Sequence, residues 1–295
     1  MNTDNGSQTN DPVFAGKVVV VTGGSSGIGK GVTKDLLSRG SQAIICSNVA
    51  ANLAQARSEL QLVAPQVDAC VCDVRDTEQV RHLANYVLSH YGQIDILINN
   101  AGYAVYRPFE ESSLEEVLDI VDVNLCGAMR CAKAFLPSMI ARRSGRIVNI
   151  ASIGGAAIIT PNATYCAAKH GMIAWTKAIR YELAHSNVSV NVVCPDHVQT
   201  SFQDHPTFRR RDVYRNNDIY RRGKARSLTV EDVSKGILDT IRKDRVVTYV
   251  PSWQGLVVWA LNALPFITAP IWDRIVQKRI VQLYEQIEAE TCTPR

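Results

Sequence analysis

Val18-Val19-Val20-Val21-Thr22-Gly23-Gly24-Ser25-Ser26-Gly27-Ile28-Gly29 decides how this chain folds. Four consecutive β-branched residues read as a strand covered on both faces, because a strand open to water on one side would alternate apolar with polar residues. From Ile28 onward, Val32, Leu36 and Leu37 recur at helical spacing. The order is therefore strand, glycine turn, helix, which is the context a dinucleotide-binding turn requires. Gly23, Gly27 and Gly29 let the backbone bend and approach a pyrophosphate, with Ser25, Ser26 and Ile28 filling the turn between them. The first N–H groups of the helix point free donors and a partial positive charge at the same place.

Six further apolar runs follow: Gln42 to Ser47, Val67 to Cys72, Ile94 to Asn99, Arg146 to Ala151, Val188 to Cys194 and Val246 to Val250. With Lys17 to Thr22 they predict seven strands, and the spacers between them are long enough for crossover helices. The expected fold class is α/β, a doubly wound parallel seven-stranded sheet of the Rossmann type in a single domain with a C-terminal helical extension. Residues 1–13 read as a flexible tail, 14–250 as the dinucleotide-binding and catalytic domain, and 251–295 as an apolar and basic extension.

Composition narrows the classes further. A chain of 295 residues with 46% hydrophobic and 20% charged content can bury one large core. Its net charge of +4 is too mild and too local to point to nucleic acid. The cysteines form no Cys-x-x-Cys pair and the histidines no His-x-x-x-His pair, so no metal site is expected, and reduced thiols in the cytoplasm are. The polar start of the chain does not read as a secretory signal.

Further motifs stand in a fixed order behind the glycine turn: Asp73-Val74 after the third strand, Asn99-Asn100-Ala101-Gly102 after the fourth, Asn124 within Val121-Asp122-Val123-Asn124-Leu125, Ser152 after the fifth strand, and Tyr165 with Lys169. From Gly16 to Thr200 the chain resembles the short-chain dehydrogenase/reductase family in its single-domain branch, whose glycine motif is Thr-Gly-x-x-x-Gly-x-Gly. The resemblance implies that Asp73 contacts the adenine ring, that Asn100, Ala101 and Gly102 line the cofactor cleft, and that Asn124 holds a catalytic water. It also implies a homo-dimer or homo-tetramer. Cys194-Pro195-Asp196-His197-Val198-Gln199-Thr200 resembles the family's Pro-Gly-x-Val-x-Thr, which gives Pro195 and Val198 to the cofactor site and Thr200 to the nicotinamide carboxamide. Asp196 departs from that pattern, because aspartate adopts left-handed backbone angles less readily than glycine.

The chemistry can also be argued from the side chains. Tyr165 and Lys169 lie four apart, on one face of a helix expected to begin near Ala163. A phenol titrating near 10 is a poor acid at neutral pH, and a fixed ammonium draws it toward the working range. Ser152, at the carboxyl end of its strand, can hold the substrate oxygen while Tyr165 protonates it. Tyr165 and Lys169 count toward the cofactor site as well. At the end of the second strand Ser47 and Asn48 stand where a carboxylate would repel the extra phosphate of NADP, so NADP(H) is favoured over NAD(H), with Lys30 as a candidate cation.

Two features remain. Phe208 to Arg226 is rich in arginine and reads either as a solvated loop or as a surface for something acidic. Trp253 to Trp272 is apolar and broken by prolines, and reads either as buried packing or as a peripheral membrane contact. The expected activity is an NADP(H)-preferring interconversion of a ketone and a secondary alcohol on a hydrophobic, lipid-like small molecule. A polyketide-type ketoreductase of secondary metabolism fits equally. From another class, a catalytically silent dinucleotide-binding redox sensor is the alternative.

Overall fold

The computed structural model describes residues 11–200 and 227–291. β1 (Val18–Thr22) is buried along its whole length, as a strand with no polar face must be. It leads into α1 (Gly27–Leu37), and then β2 (Gln42–Ser47), α2 (Ala50–Gln61), β3 (Val67–Val71), α3 (Thr77–Tyr91) and β4 (Ile96–Asn99) alternate along the chain. The second half carries α4 (Leu114–Val121), a π-helical turn (Asp122–Cys126), α5 (Gly127–Ala141), β5 (Gly145–Ile150), α6 (Ala163–Glu182), β6 (Val188–Pro195), α7 (Val230–Lys243) and β7 (Val247–Val250). Each expected strand is present, with ends shifted by no more than two residues.

The sheet runs in the order β3-β2-β1-β4-β5-β6-β7. Every neighbouring pair is parallel. Odd-numbered β1 residues Val19 and Val21 pack with Val32 and Leu36 of α1, Leu53 of α2 and Ile237 of α7. Even-numbered Val18 and Val20 pack with Leu83 of α3 and Phe135 of α5. One strand thus serves two cores, each side chain contributing roughly 1.5–3 kcal/mol on burial. The strand order reverses between β1 and β4, and ligands of such sheets bind at the carboxyl ends of the strands beside that reversal.

Asp11, placed by the sequence in the loose tail, pairs with Arg242 of α7, and Phe14 is fully buried, so the folded region starts before residue 14. After β7 the chain forms α8 (Gln254–Ala263) and α9 (Pro265–Thr291). Of α8 only Gln254 and Val258 are buried, so the expectation of buried packing for this segment does not hold. The rest of the expected tail, residues 1–10, and the basic stretch from Phe208 to Arg226 lie outside the described residues.

Candidate active site

The glycine turn joins β1 to α1 with Gly23 at φ +62° and Gly27 at φ +50°, angles that a side chain would strain. A methyl group on Gly23 would also stand 2.9 Å from the Cα of Ala101. Asn100 fixes the turn from the next strand, its Nδ2 donating to the carbonyls of Thr22 at 3.0 Å and Gly23 at 3.1 Å. The backbone N–H of Ala101 donates to Thr22 Oγ1 at 3.0 Å. At the other end of the turn Ser26 makes no side-chain cap, and the first turn of α1 holds no acidic residue. The leading N–H groups of α1 are therefore open to an anion. Ile28 packs on the core beneath the turn.

Ser25 Oγ donates to Ser47 Oγ at 3.1 Å, which ties the turn to the end of β2. Asn48, next along, stands near enough to Asp73 to help hold its carboxyl down. Asp73 is itself gripped by Arg75, which holds the carboxyl below its ordinary value. Arg75 extends to Asp119 at 2.6 Å, and Asp119 accepts from the Tyr103 hydroxyl. Lys30 pairs with Glu59 of α2. Val74 lies in the core against Gly127.

Asn124, Ser152, Tyr165 and Lys169 meet at the carboxyl ends of β4 and β5. Asn124 sits in the π-helical turn, where the sequence suggests ordinary helix. Its Nδ2 donates to the carbonyls of Tyr103 at 2.8 Å and Ile120 at 2.9 Å, while its Oδ1 is buried without a hydrogen-bond partner. A methyl on Gly102 would stand 2.5 Å from that Oδ1 and 3.5 Å from Lys169 Nζ, so the amide and the amine face the same small space. Lys169 Nζ donates to the carbonyl of Ile150 at 2.9 Å and lies 5.6 Å from the centre of the Tyr165 ring. Ser152 opens a 3-10 turn and accepts the N–H of Gly154 at 3.1 Å. A methyl on Gly154 would be 3.6 Å from both Ser152 Oγ and Tyr165 Cε1, so the serine hydroxyl and the tyrosine ring flank one point.

The electrostatics differ from the expectation of a phenol drawn down by its lysine. Burial pushes the Tyr165 hydroxyl up, and the neighbouring Ser152 hydroxyl only partly opposes it. Burial also lowers the Lys169 ammonium to about 8. Burial thus pushes both groups toward their neutral forms.

Thr200 packs its side chain on Gly27, 3.2 Å from where a methyl would be, so the chain beyond β6 closes over the glycine turn. Val198 pairs with Leu228 in a single parallel bridge. Asp196, after Pro195 at the end of β6, is not at a positive φ, so the strain expected from replacing glycine is absent. Its carboxylate instead accepts from the buried amide of Gln254 in α8. The sequence reading missed this contact, and it missed Tyr103 and Tyr106. Those tyrosines, with Ala104, Val105 and Ile120, pack around Tyr165. The visible signal was two aromatics directly behind the Asn99–Gly102 motif.

The short chain dehydrogenase model matches residues 17–208. A protein named as a ketoacyl reductase of the granaticin polyketide synthase of Streptomyces violaceoruber is 38% identical over 203 residues, covering 68% of this chain and 75% of the relative. The 3-oxoacyl-[acyl-carrier-protein] reductase FabG of Escherichia coli is 33% identical over 187 residues, covering 63% and 75%. Among solved structures, an actinorhodin polyketide ketoreductase variant with NADPH superposes with a TM-score of 0.70 at 33% identity, over 77% of this chain and 90% of that one.

Proposed function

We propose, from the premise that this chain belongs to the short-chain dehydrogenase/reductase family, that it reduces a hydrophobic, lipid-like ketone to a secondary alcohol with NADPH, Tyr165 supplying the proton. It is an NAD(P)(H)-dependent oxidoreductase acting on the CH–OH group of a small molecule. The observation that carries the finer reading is the convergence of Asn124, Ser152, Tyr165 and Lys169 on one space beside the glycine turn.

The cradle fits a dinucleotide: a methyl at Gly23 would meet Ala101, and the start of α1 is uncapped and free of acids. Gly23, Ser25, Ser26, Gly27, Ile28 and Gly29 would hold the pyrophosphate, Ser47, Asn48, Asp73 and Val74 the adenosine end, and Asn100, Ala101, Gly102, Pro195, Val198 and Thr200 the nicotinamide end. When bound, the nicotinamide supplies the hydride. Ser152 donates a hydrogen bond to the carbonyl oxygen and orients it. Tyr165 then gives its proton to that oxygen as negative charge develops there. Burial keeps the phenol protonated but also makes it a weaker acid, and the nearby ammonium of Lys169 offsets that by stabilising the phenolate left behind. The unpartnered Oδ1 of Asn124 offers an acceptor on the lysine side that would hold a water, and Lys169 with that water would return the proton.

NADPH preference is supported by Ser47 and Asn48, since no carboxylate ends β2 to repel a 2′-phosphate. The structural relative with NADPH supports the same choice. We place the protein in the cytoplasm, as a homo-dimer or homo-tetramer with peripheral membrane contact. A polyketide-type substrate is the second reading, favoured by the names of two relatives. Fluorescence titration with NADPH and NADH, followed by carbonyls ranked by chain length, tests cofactor and substrate together. In Tyr165→Phe, NADPH binding should persist while turnover falls about 10²- to 10⁴-fold. Undiminished turnover would remove Tyr165 from the chemistry, and a parent that binds NADPH but reduces no carbonyl would be the redox sensor instead.

A further inference from the structure

The exposed apolar surface is concentrated in α8 and the start of α9. From Pro251 to Trp272 the chain carries no charged residue. Beside and within α8, Trp253, Leu256, Val257 and Trp259 are exposed, and at the start of α9 Phe266 is 94% exposed with Ile267 and Ile271 alongside. Exposed apolar side chains gathered in one uncharged stretch of chain mark an interaction surface.

The shape of the patch limits its partner. No single described helix is long and apolar enough to cross a membrane, and α8 meets the first part of α9, Phe266–Lys278, at 117°. A helix of α8's size spans about 15 Å, half of the roughly 30 Å hydrocarbon core, and although α8 and Phe266–Lys278 together match a span in length and composition, the bend keeps them from making one straight crossing. A bent, shallow apolar wedge suits the plane of a membrane interface. Directly after the uncharged run stand Asp273, Arg274 and Lys278, all exposed, with a net positive charge. Tryptophan rings settle at headgroup depth, and basic residues bordering an apolar face are matched by anionic headgroups. A second copy would meet this face with the same face in a two-fold dimer, and so would bring no excess of negative charge.

We propose that this face, centred on Trp259 and Phe266 and bordered by Arg274 and Lys278, docks on an anionic lipid bilayer without crossing it. On its inner side Gln254 holds Asp196, in the loop that leads to Thr200. The docked face is therefore tied to the candidate active site, and, on the reading of a lipid-like ketone, substrate reaches that site from the bilayer.

The test is sedimentation of the full-length protein with vesicles of phosphatidylcholine alone and of phosphatidylcholine with phosphatidylserine. The parent should pellet with the anionic vesicles, less so at high salt. A Trp259→Glu, Phe266→Glu variant should lose binding by at least about tenfold. Arg274→Glu and Lys278→Glu should each weaken binding to anionic vesicles by about fivefold or more. Leu62→Glu, at an exposed leucine after α2, should bind as the parent does, and every variant should melt as the parent does. Parent protein left in the supernatant with both vesicle types overturns the proposal, as does unchanged binding by the Trp259→Glu, Phe266→Glu variant. Light scattering without vesicles gives the remaining outcome. A mass halved by that double variant assigns the face to a second copy and overturns the proposal, whereas an unchanged mass supports it. Tyr165→Phe should pellet like the parent, so this surface and the reductase reading fail independently.

Discussion

Lys169 carries the pH dependence expected of the site. Its ammonium is lowered to about 8 by burial, so near neutral pH it is mostly charged and above 8 it is mostly not. If that charge stabilises the phenolate of Tyr165, kcat/KM for carbonyl reduction should be level below pH 7 and fall through about 8, by up to tenfold per pH unit. In Lys169→Arg the step near 8 should vanish whatever the absolute rate, because a guanidinium stays charged across this range. A parent profile flat to pH 9.5 would contradict the assignment. Tyr165 and Lys169 were legible because four residues of helix fix their common face. The direction of the tyrosine's shift was not legible, since desolvation depends on Ala104, Val105 and Ile120 packed around it. The link of Arg75 to Asp119 was equally hidden: its partners are 44 residues apart, and no local spacing connects them.

Among the elements, strands were read most securely, because a run such as Val18–Val21 has no polar face to expose and leaves no other state. The helix around Asn124 was legible, but its π-helical turn was not. An extra residue in a helical turn leaves the apolar pattern nearly intact while redirecting one side chain, here the one that bonds Tyr103 and Ile120. Asp244, just after α7, shows how elements are clamped. At φ +49° it accepts from Arg180 of α6 at 3.0 and 2.8 Å and from Asn191 of β6 at 3.0 Å. Arg180, foremost, lowers its carboxyl to about 2. A lowered carboxyl contributes stability above its unfolded value near 3.8, and that stability is lost as pH falls toward 2. Asp244→Asn keeps a residue tolerant of this backbone angle but removes the charge. Urea unfolding at pH 7 should show a loss of about 1 kcal/mol, because the pair is partly exposed. The difference from the parent should shrink as the pH is lowered through 3.8 toward 2.

For the whole molecule, cofactor binding should appear as stability, since only the folded sheet assembles the turn, the ends of β2 and β4, and Thr200 into one cleft. A ligand at a hundred times its Kd adds about 2.7 kcal/mol, enough to raise Tm by several degrees. Thermal melts should show a larger rise with NADPH than with NADH at equal concentration, and the reverse order would contradict the reading of Ser47 and Asn48. The doubly wound parallel sheet could be anticipated because right-handed crossovers leave few alternatives. The use of the last helices could not, since apolar residues with prolines describe a core segment and a surface one equally well. The amide of Gln254 on the carboxylate of Asp196 has a practical bearing. Trimming the greasy end after Val250 to obtain better-behaved protein would strand that carboxylate in the loop that leads to Thr200, so a shortened version should not be trusted to report the native preference among ketones.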